Sequence, residues 1–318
     1  MPPHRDQLHQ RHRQVEPDPE NTSDEDRRPG HLELEQGGAN WLGGRLEASG
    51  SLSWTGRNAW SFAARGEKLD PARIDGAWPG RLGFTAQVSG AGLNSGADID
   101  LDLKRASGTL RGEHLEARGH VSRRGSNLRF DRVVASLADA HLTLDGTFGD
   151  PRDIRLDLDA PHLGRVVPGL EGGITVKGRI SGPPATARLT GTLVGHDLAF
   201  APLTAGNVSA SADIDLSDQR GSHLDLEARA VKVADRDLGK VVARLEGRAS
   251  DHRFTFDTTG GLIDIHARVD GSYDPKGWHG LIGELGLRNT DIIDVHLQAP
   301  AAMRLSPAAA AGFFPGSR

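Results

Sequence analysis

Asp98, Asp100 and Asp102 stand at every second position, separated by Ile99 and Leu101 and followed by Leu103. On an extended strand such carboxylates project from one face about 6.6 Å apart, and a ladder of that kind could ligate calcium. The string ADIDL, here Ala97 to Leu101, returns at Ala212 to Leu216 with Asp213 and Asp215. A solvated outer face explains both stretches with fewer assumptions: acids in water on one side, aliphatics away from it on the other. The loop SGAGLNSG offers Gly90, Gly92 and Gly96. They are spaced one residue too widely for a dinucleotide fingerprint and lead into a strand where that motif needs a helix. His4, His9 and His12 fall in a charged N-terminal stretch, where a metal would be held weakly and adventitiously. Two sequons, Asn21-Thr22-Ser23 and Asn207-Val208-Ser209, are what chance supplies at this length. Trp41, Trp54, Trp60, Trp78 and Trp278 could stack sugars or meet a lipid interface; closing off the end of a β core is the plainer reading. No nucleophile elbow or Walker loop occurs, so no catalytic residue, metal ligand or cofactor is assigned, and the chain is not expected to be an enzyme.

The composition narrows the classes further. With 38 Lys and Arg against 43 Asp and Glu, the net charge of -5 leaves no basic excess for a phosphate backbone. Nucleic acid is excluded as a partner on that ground. The absence of cysteine removes disulfides, thiolate catalysis and cysteine-ligated metals, and permits an oxidising compartment. Residues 1–30 hold only Leu8 and Val15 as aliphatics beyond Met1, so they read as a disordered charged tail with neither signal sequence nor anchor. No run of about 18 apolar residues occurs in the rest of the chain.

The elements that must carry any function are strands. From residue 31 to residue 297, segments of four to eight alternating residues end in turns rich in Gly, Asp, Asn, Ser or Pro, and the apolar period is two. Examples are Ile99 to Leu103, His141 to Gly146, Ile154 to Asp159, Ile174 to Ile180, His223 to Ala230, Arg253 to Thr258 and Leu262 to Gly271. Asp145-Gly146, Gly149-Asp150-Pro151 and Asp270-Gly271 are read as turns. Isolated glycines within strands mark bends, bulges or close backbone approach. One short helix is admitted near Leu163 to Leu170, and residues 298–318 read either as an Ala- and Pro-rich tail or as a stretch out of frame with the domain. The expectation is an all-β chain of many short stacked antiparallel strands, each with one aliphatic face. Aromatics are only 5%, so that face is smooth and can be closed on itself or left as a trough.

The stretch ARLTGTLVGHDLAFAPLTAGNVSASADIDLSDQRGSHLDLEARAVKVADRDL resembles the repeats of the TamB family, in the AsmA-like superfamily of bridge-like lipid transfer proteins. The pattern is carried by Ile174, Gly178, Ile180, Gly182-Pro183-Pro184, Leu189, Gly191, Leu193, Leu198-Ala199-Phe200, Ile214 and Leu224, and extends from Leu32 to Leu297. The resemblance implies an elongated, curved, open sheet (a β-taco) whose hydrophobic groove holds phospholipid acyl chains. It implies transport between the inner and outer membranes of Gram-negative bacteria, a periplasmic place with an inner-membrane anchor in the full-length family, and a role in outer-membrane biogenesis with the barrel partner TamA. The chain shows neither the family's membrane helix nor its TamA-docking region, and so reads as an interior fragment. On this resemblance the groove candidates are Ile99, Leu101, Leu103, Leu142, Leu144, Ile154, Leu156, Leu158, Ile174, Val176, Ile214, Leu216, Leu224, Leu226, Phe254, Phe256, Ile263 and Ile265. Asp100 and Asp215 are expected on the opposite, solvated face. About 20 strands at about 4.8 Å would span on the order of 100 Å. The competing expectation is a structural or adhesive β-solenoid or sandwich with a closed, dry interior.

Overall fold

Alternation of apolar and polar residues leaves each strand with one face to hide, and consecutive strands hide it together. In the computed structural model, residues 30–305 are described apart from 55, 57, 95, 184, 185, 235, 275, 276 and 290–293. The expectations for the two terminal tails therefore lie mostly outside the described residues. The strands are β1 (His31–Trp41), β2 (Gly44–Ser53), β3 (Ala59–Leu69), β4 (Gly80–Ala91), β5 (Asp98–Leu110), β6 (Glu113–Arg124), β7 (Asn127–Leu137), β8 (Ala140–Phe148), β9 (Arg152–Ala160), β10 (Glu171–Gly182), β11 (Arg188–Phe200), β12 (Leu203–Asp215), β13 (Ser222–Val233), β14 (Arg236–Arg248), β15 (Asp251–Thr259), β16 (Asp264–Asp274), β17 (Gly277–Arg288), β18 (Asp294–His296) and β19 (Ala301–Leu305). From β1 to β17 each strand pairs antiparallel with the next, and β18 and β19 both pair with β17. The result is one open antiparallel sheet of nineteen strands, in agreement with the expectation from alternation. A single turn of helix, α1 (Leu163–Val166), sits where the sequence admitted one.

The strands are longer and fewer than the four-to-eight-residue segments of the sequence suggest: β1 to β17 run nine to thirteen residues. The reason is a change of parity inside them. In β3 the apolar positions are Trp60, Phe62, Ala64 and Gly66, then Leu69; the register shifts between Gly66 and Leu69, and Lys68 between them has φ 54°. In β7, Leu128 and Phe130 give way to Val133 and Ala135 around Arg132, φ 49°. In β13, Leu224, Leu226 and Ala228 give way to Val231 around Ala230, φ 53°. Each bulge inserts one residue, bends the strand and keeps the apolar side on the same face. A left-handed non-glycine residue costs about 1 kcal/mol, so the two flanking half-strands must hold it in place.

Two dipeptides expected as turns are strand interiors. Gly146 of Asp145-Gly146 lies in β8, where a Cβ would stand 1.8 Å from the Asp153 carbonyl oxygen. Gly271 of Asp270-Gly271 lies in β16 beneath the Trp278 ring, 2.6 Å from where its Cβ would be. Both are glycines of close approach. A two-residue hairpin instead occurs at Arg111-Gly112, where φ is 52° and 82°.

Among the described residues twelve apolar side chains are buried, and eight of them are alanines. The other four are Leu69, Leu110, Val231 and Val241; most of the remaining large aliphatics stay half-buried, so among the described residues no second layer seals the face they share. The densest patch gathers Ala205, Ala228, Val231 and Val241, with Val208, Leu226, Leu238 and Phe256 packed against them.

Candidate functional site

Cross-strand register decides whether aliphatic residues that alternate within strands also line up between them. They do. Starting at β2, direct partners run Ala48, Ala64, Ala86, Leu103 and Gly119. At the β6–β7 bulge, the space beside Gly119 is filled by Val133. The row continues through Leu144, Leu156, Gly178, Gly191, Ala212, Leu224, Leu245, Phe254, Val269, Ile282 and Ala301. This rail crosses the sheet from β2 to β19 without a polar side chain. At about 4.8 Å per strand it is about 75 Å long, shorter than the sequence estimate because the strands are longer and fewer. A second row runs beside it through Leu34, Gly50, Phe62, Val88, Leu101, Val121, Phe130, Gly146, Ile154, Ile180, Leu189 and Ile214.

Sixteen of the eighteen sequence candidates lie on this face and are half-buried: Ile99, Leu101, Leu103, Leu142, Leu144, Ile154, Leu156, Leu158, Ile174, Val176, Ile214, Leu224, Leu226, Phe254, Phe256 and Ile265. Leu216 and Ile263 fall outside the strands. Leu216 stands in the turn after β12, 43% exposed. Ile263 precedes β16, its carbonyl accepting the Thr258 hydroxyl at 3.0 Å. That hydroxyl also accepts the Ile265 N–H at 2.9 Å, which satisfies the most deeply buried polar side chain on the apolar face.

Sequence reasoning missed the glycines. Gly178 and Gly191 face each other across β10 and β11, next to Ala212. They form the floor of an apolar pocket of roughly 300 Å³, walled by Leu156, Val176, Ile180, Leu189 and Leu193. Trp60, one of the five tryptophans singled out in the sequence, lies over Gly90 and donates its indole N–H to the Gly92 carbonyl at 3.0 Å. Trp278 does the same at the other end, lying over Gly271 and Gly280 and donating to His252 Nε2 at 2.7 Å. An aromatic side chain paired with a mid-strand glycine on the adjacent strand is the signal that would have given both rings their place.

The opposite face carries charge in cross-strand pairs. Arg179 grips Asp153 with two hydrogen bonds, 2.7 and 2.9 Å, and Arg188 grips Asp213 at 2.8 and 2.5 Å. These guanidinium groups hold the Asp153 and Asp213 carboxyls below the usual range. His266 bridges Asp257 at 2.6 Å and Glu284 at 3.1 Å, and its pKa is raised, chiefly by the Asp257 hydrogen bond. The aspartate ladder of β5 finds partners within the protein: Asp100 meets His120 at 2.8 Å and Asp102 meets Lys104 at 2.5 Å. Among the described residues no group of three or more acids or histidines is placed to hold a metal. Asp215 departs from the expected solvated face. It is only 5% exposed, and its carboxylate accepts the Ser217 hydroxyl and the Ser217 N–H, the latter at 2.8 Å. These bonds, the hydroxyl foremost, hold its pKa down.

Among the described residues no helix is long and apolar enough to cross a membrane. The sequence profile of the family described as "TamB, N-terminal domain" matches residues 23–312. The translocation and assembly module subunit TamB of Haemophilus influenzae is 20% identical over 252 residues, covering 78% of this chain and 19% of that protein. The chain thus spans about a fifth of the length of that curated relative. No solved structure matches.

Proposed function

We propose, for a chain that belongs to the TamB N-terminal domain family, that the apolar rail is a path along which phospholipid acyl chains move, with headgroups left in water. The observation that carries this reading is the register: from β2 to β19 no polar side chain interrupts the row. Transfer of this kind needs no covalent step. A methylene kept out of water is worth about 0.8 kcal/mol, so carrying a two-chain lipid bare through water would cost on the order of 20 kcal/mol. A continuous aliphatic surface removes most of that barrier, and because its residues contribute alike, no single one is essential. The antiparallel meander leaves the face half-exposed, where a closed solenoid would seal it. In this proposal the site of action is the periplasm between the two membranes, with TamA as partner in a translocation and assembly module. The assembly role is a second reading favoured by one feature: among the described residues β1 pairs only with β2, so its other backbone edge is free to accept an extended segment.

The chain has no cysteine, which makes single-cysteine labelling a direct test. An environment-sensitive fluorophore placed at Ala64, Leu156 or Val269 should shift to the blue when phosphatidylglycerol vesicles are added. Labels on the opposite face, at Ser61, Thr143 or Thr255, should stay unchanged. Equal shifts on both faces, or a response confined to one end of the row, would overturn the proposal.

A further inference from the structure

Arg152 opens β9 on the apolar face, two residues and about 6.6 Å from Ile154, on the edge where β9 leaves its turn. Its guanidinium lies over the Phe148 ring, 4.7 Å from the centroid, and Phe148 is 46% exposed. Among the described residues Arg152 has no acidic partner, and its Nε–H is buried with no acceptor. Its partner on β10 is Gly182, so no side chain closes that flank. The neighbouring cations behave differently. Lys177 and Arg179 point to the polar face and are held by Asp157 at 3.7 Å and Asp153 at 2.7 Å. Stacking on Phe148 occupies the flat side of the guanidinium, and with Nε–H buried it is the paired Nη donors at the tip that keep the in-plane fork geometry that suits a phosphate. The Ile154 end of the same strand leads straight into the pocket floored by Gly178 and Gly191.

We propose that Arg152 and this pocket form a station for one phosphate-bearing amphiphile, the cation taking the phosphate and the pocket a length of its acyl chain. The station rests on the reading of the apolar face as a lipid path and adds to it a fixed place where the headgroup is read. The test compares binding of oleoyl lysophosphatidic acid with that of monoolein, which has the same chain and no phosphate. Wild type should prefer the phosphorylated probe. Arg152→Gln should weaken it about fivefold and leave monoolein unchanged, Arg152→Lys should retain most of the preference, and Gly191→Leu should weaken both probes. Arg155→Gln, on the other face, should change neither, and far-UV circular dichroism should match wild type for Arg152→Gln. Inorganic phosphate in excess should fail to displace the lipid. If it displaces the lipid fully, the site serves free anions and the proposal falls. If Arg152→Gln weakens both probes equally, the guanidinium only packs on Phe148, and the station is overturned while the path stands. Binding of neither probe by wild type would remove the path and the station together.

Discussion

Leu156 is the residue at which path and packing can be separated. It sits in the rail between Leu144 and Gly178, half-buried, on the wall of the central pocket. Leu156→Asp puts a carboxylate into a gap of two strand spacings, about 9.6 Å. An acyl chain crossing that gap must desolvate the charge or lift off the surface. Lifting only the one strand spacing nearest the charge, about four methylenes, costs about 3 kcal/mol, a factor of about 100 in the rate of passage. The stability cost is smaller, because a half-exposed leucine contributes only about 1 kcal/mol of burial and the new carboxylate keeps access to water. Leu156→Ala supplies the contrast: it loses similar packing but leaves the row apolar, so it should lower thermal stability comparably and capture only a few-fold. Asp157→Asn, whose partner Lys177 is 3.7 Å away on the other face, should leave capture unchanged. The assay is crosslinking of a photoreactive phosphatidylglycerol, read beside the thermal midpoint of each variant. If Leu156→Asp and Leu156→Ala reduce capture equally, or if the loss tracks the unfolded fraction, Leu156 is ordinary core and the continuity argument is wrong.

The polar face and the bulges can be probed in the same way. The carboxyls of Asp153 and Asp213, depressed by Arg179 and Arg188, stabilise the fold above their unfolded pKa of about 3.9 and stop doing so as pH falls through the lower folded value. His266, raised by Asp257 and then Glu284, stabilises below about 6.5 and loses that contribution as pH climbs through its higher folded value. The thermal midpoint should therefore be highest between about pH 4 and 6.5, and His266→Gln should abolish the decline on the alkaline side alone. At the β13 bulge, where Ala230 has φ 53°, Ala230→Val should cost about 1–2 kcal/mol in urea denaturation and Ala230→Gly should cost nothing or stabilise; the opposite order would mean that the bulge is not retained. Asp215→Ala should cost about 1–2 kcal/mol in the same assay, because it strips a buried acceptor from Ser217. A silent substitution there would restore the view of Asp215 as a solvated surface acid.

The strand class and the apolar face were legible because period-two alternation is a local property: Ile154, Leu156 and Leu158 announce their common side without reference to any other strand. Strand length was not legible. Lys68, Arg132 and Ala230 carry no glycine or proline signature, yet each takes a left-handed conformation that reverses the parity of the residues after it. Alternation alone therefore suggests two short strands where one bent strand exists. The Asp-Gly pairs failed for the converse reason. Gly146 and Gly271 are there because a carbonyl or an indole ring comes too close for a Cβ, and only the neighbouring strand knows that. The pocket was invisible for the same cause, since Gly178 and Gly191 become a floor only when the register sets them side by side.

That division explains how a sheet with so little sealed interior can hold its shape. An alternating strand slipped by one residue would turn its whole aliphatic set to the wrong face, so register must be enforced by something other than a buried core. The polar face supplies it: Arg179 with Asp153, Arg188 with Asp213, and Arg268 with Glu284 at 2.5 Å each tie adjacent strands at one specific pairing. Exposed pairs of this kind add little to stability individually, but a slipped register would set them against the wrong partners. With alignment secured from the outside, the apolar side need not interlock to define the fold. It can remain an aliphatic surface of small floors and larger walls, and a single-layer sheet in that condition is completed by whatever apolar chain lies on it. An occupant that binds only the folded sheet should raise its stability in proportion to the logarithm of its concentration.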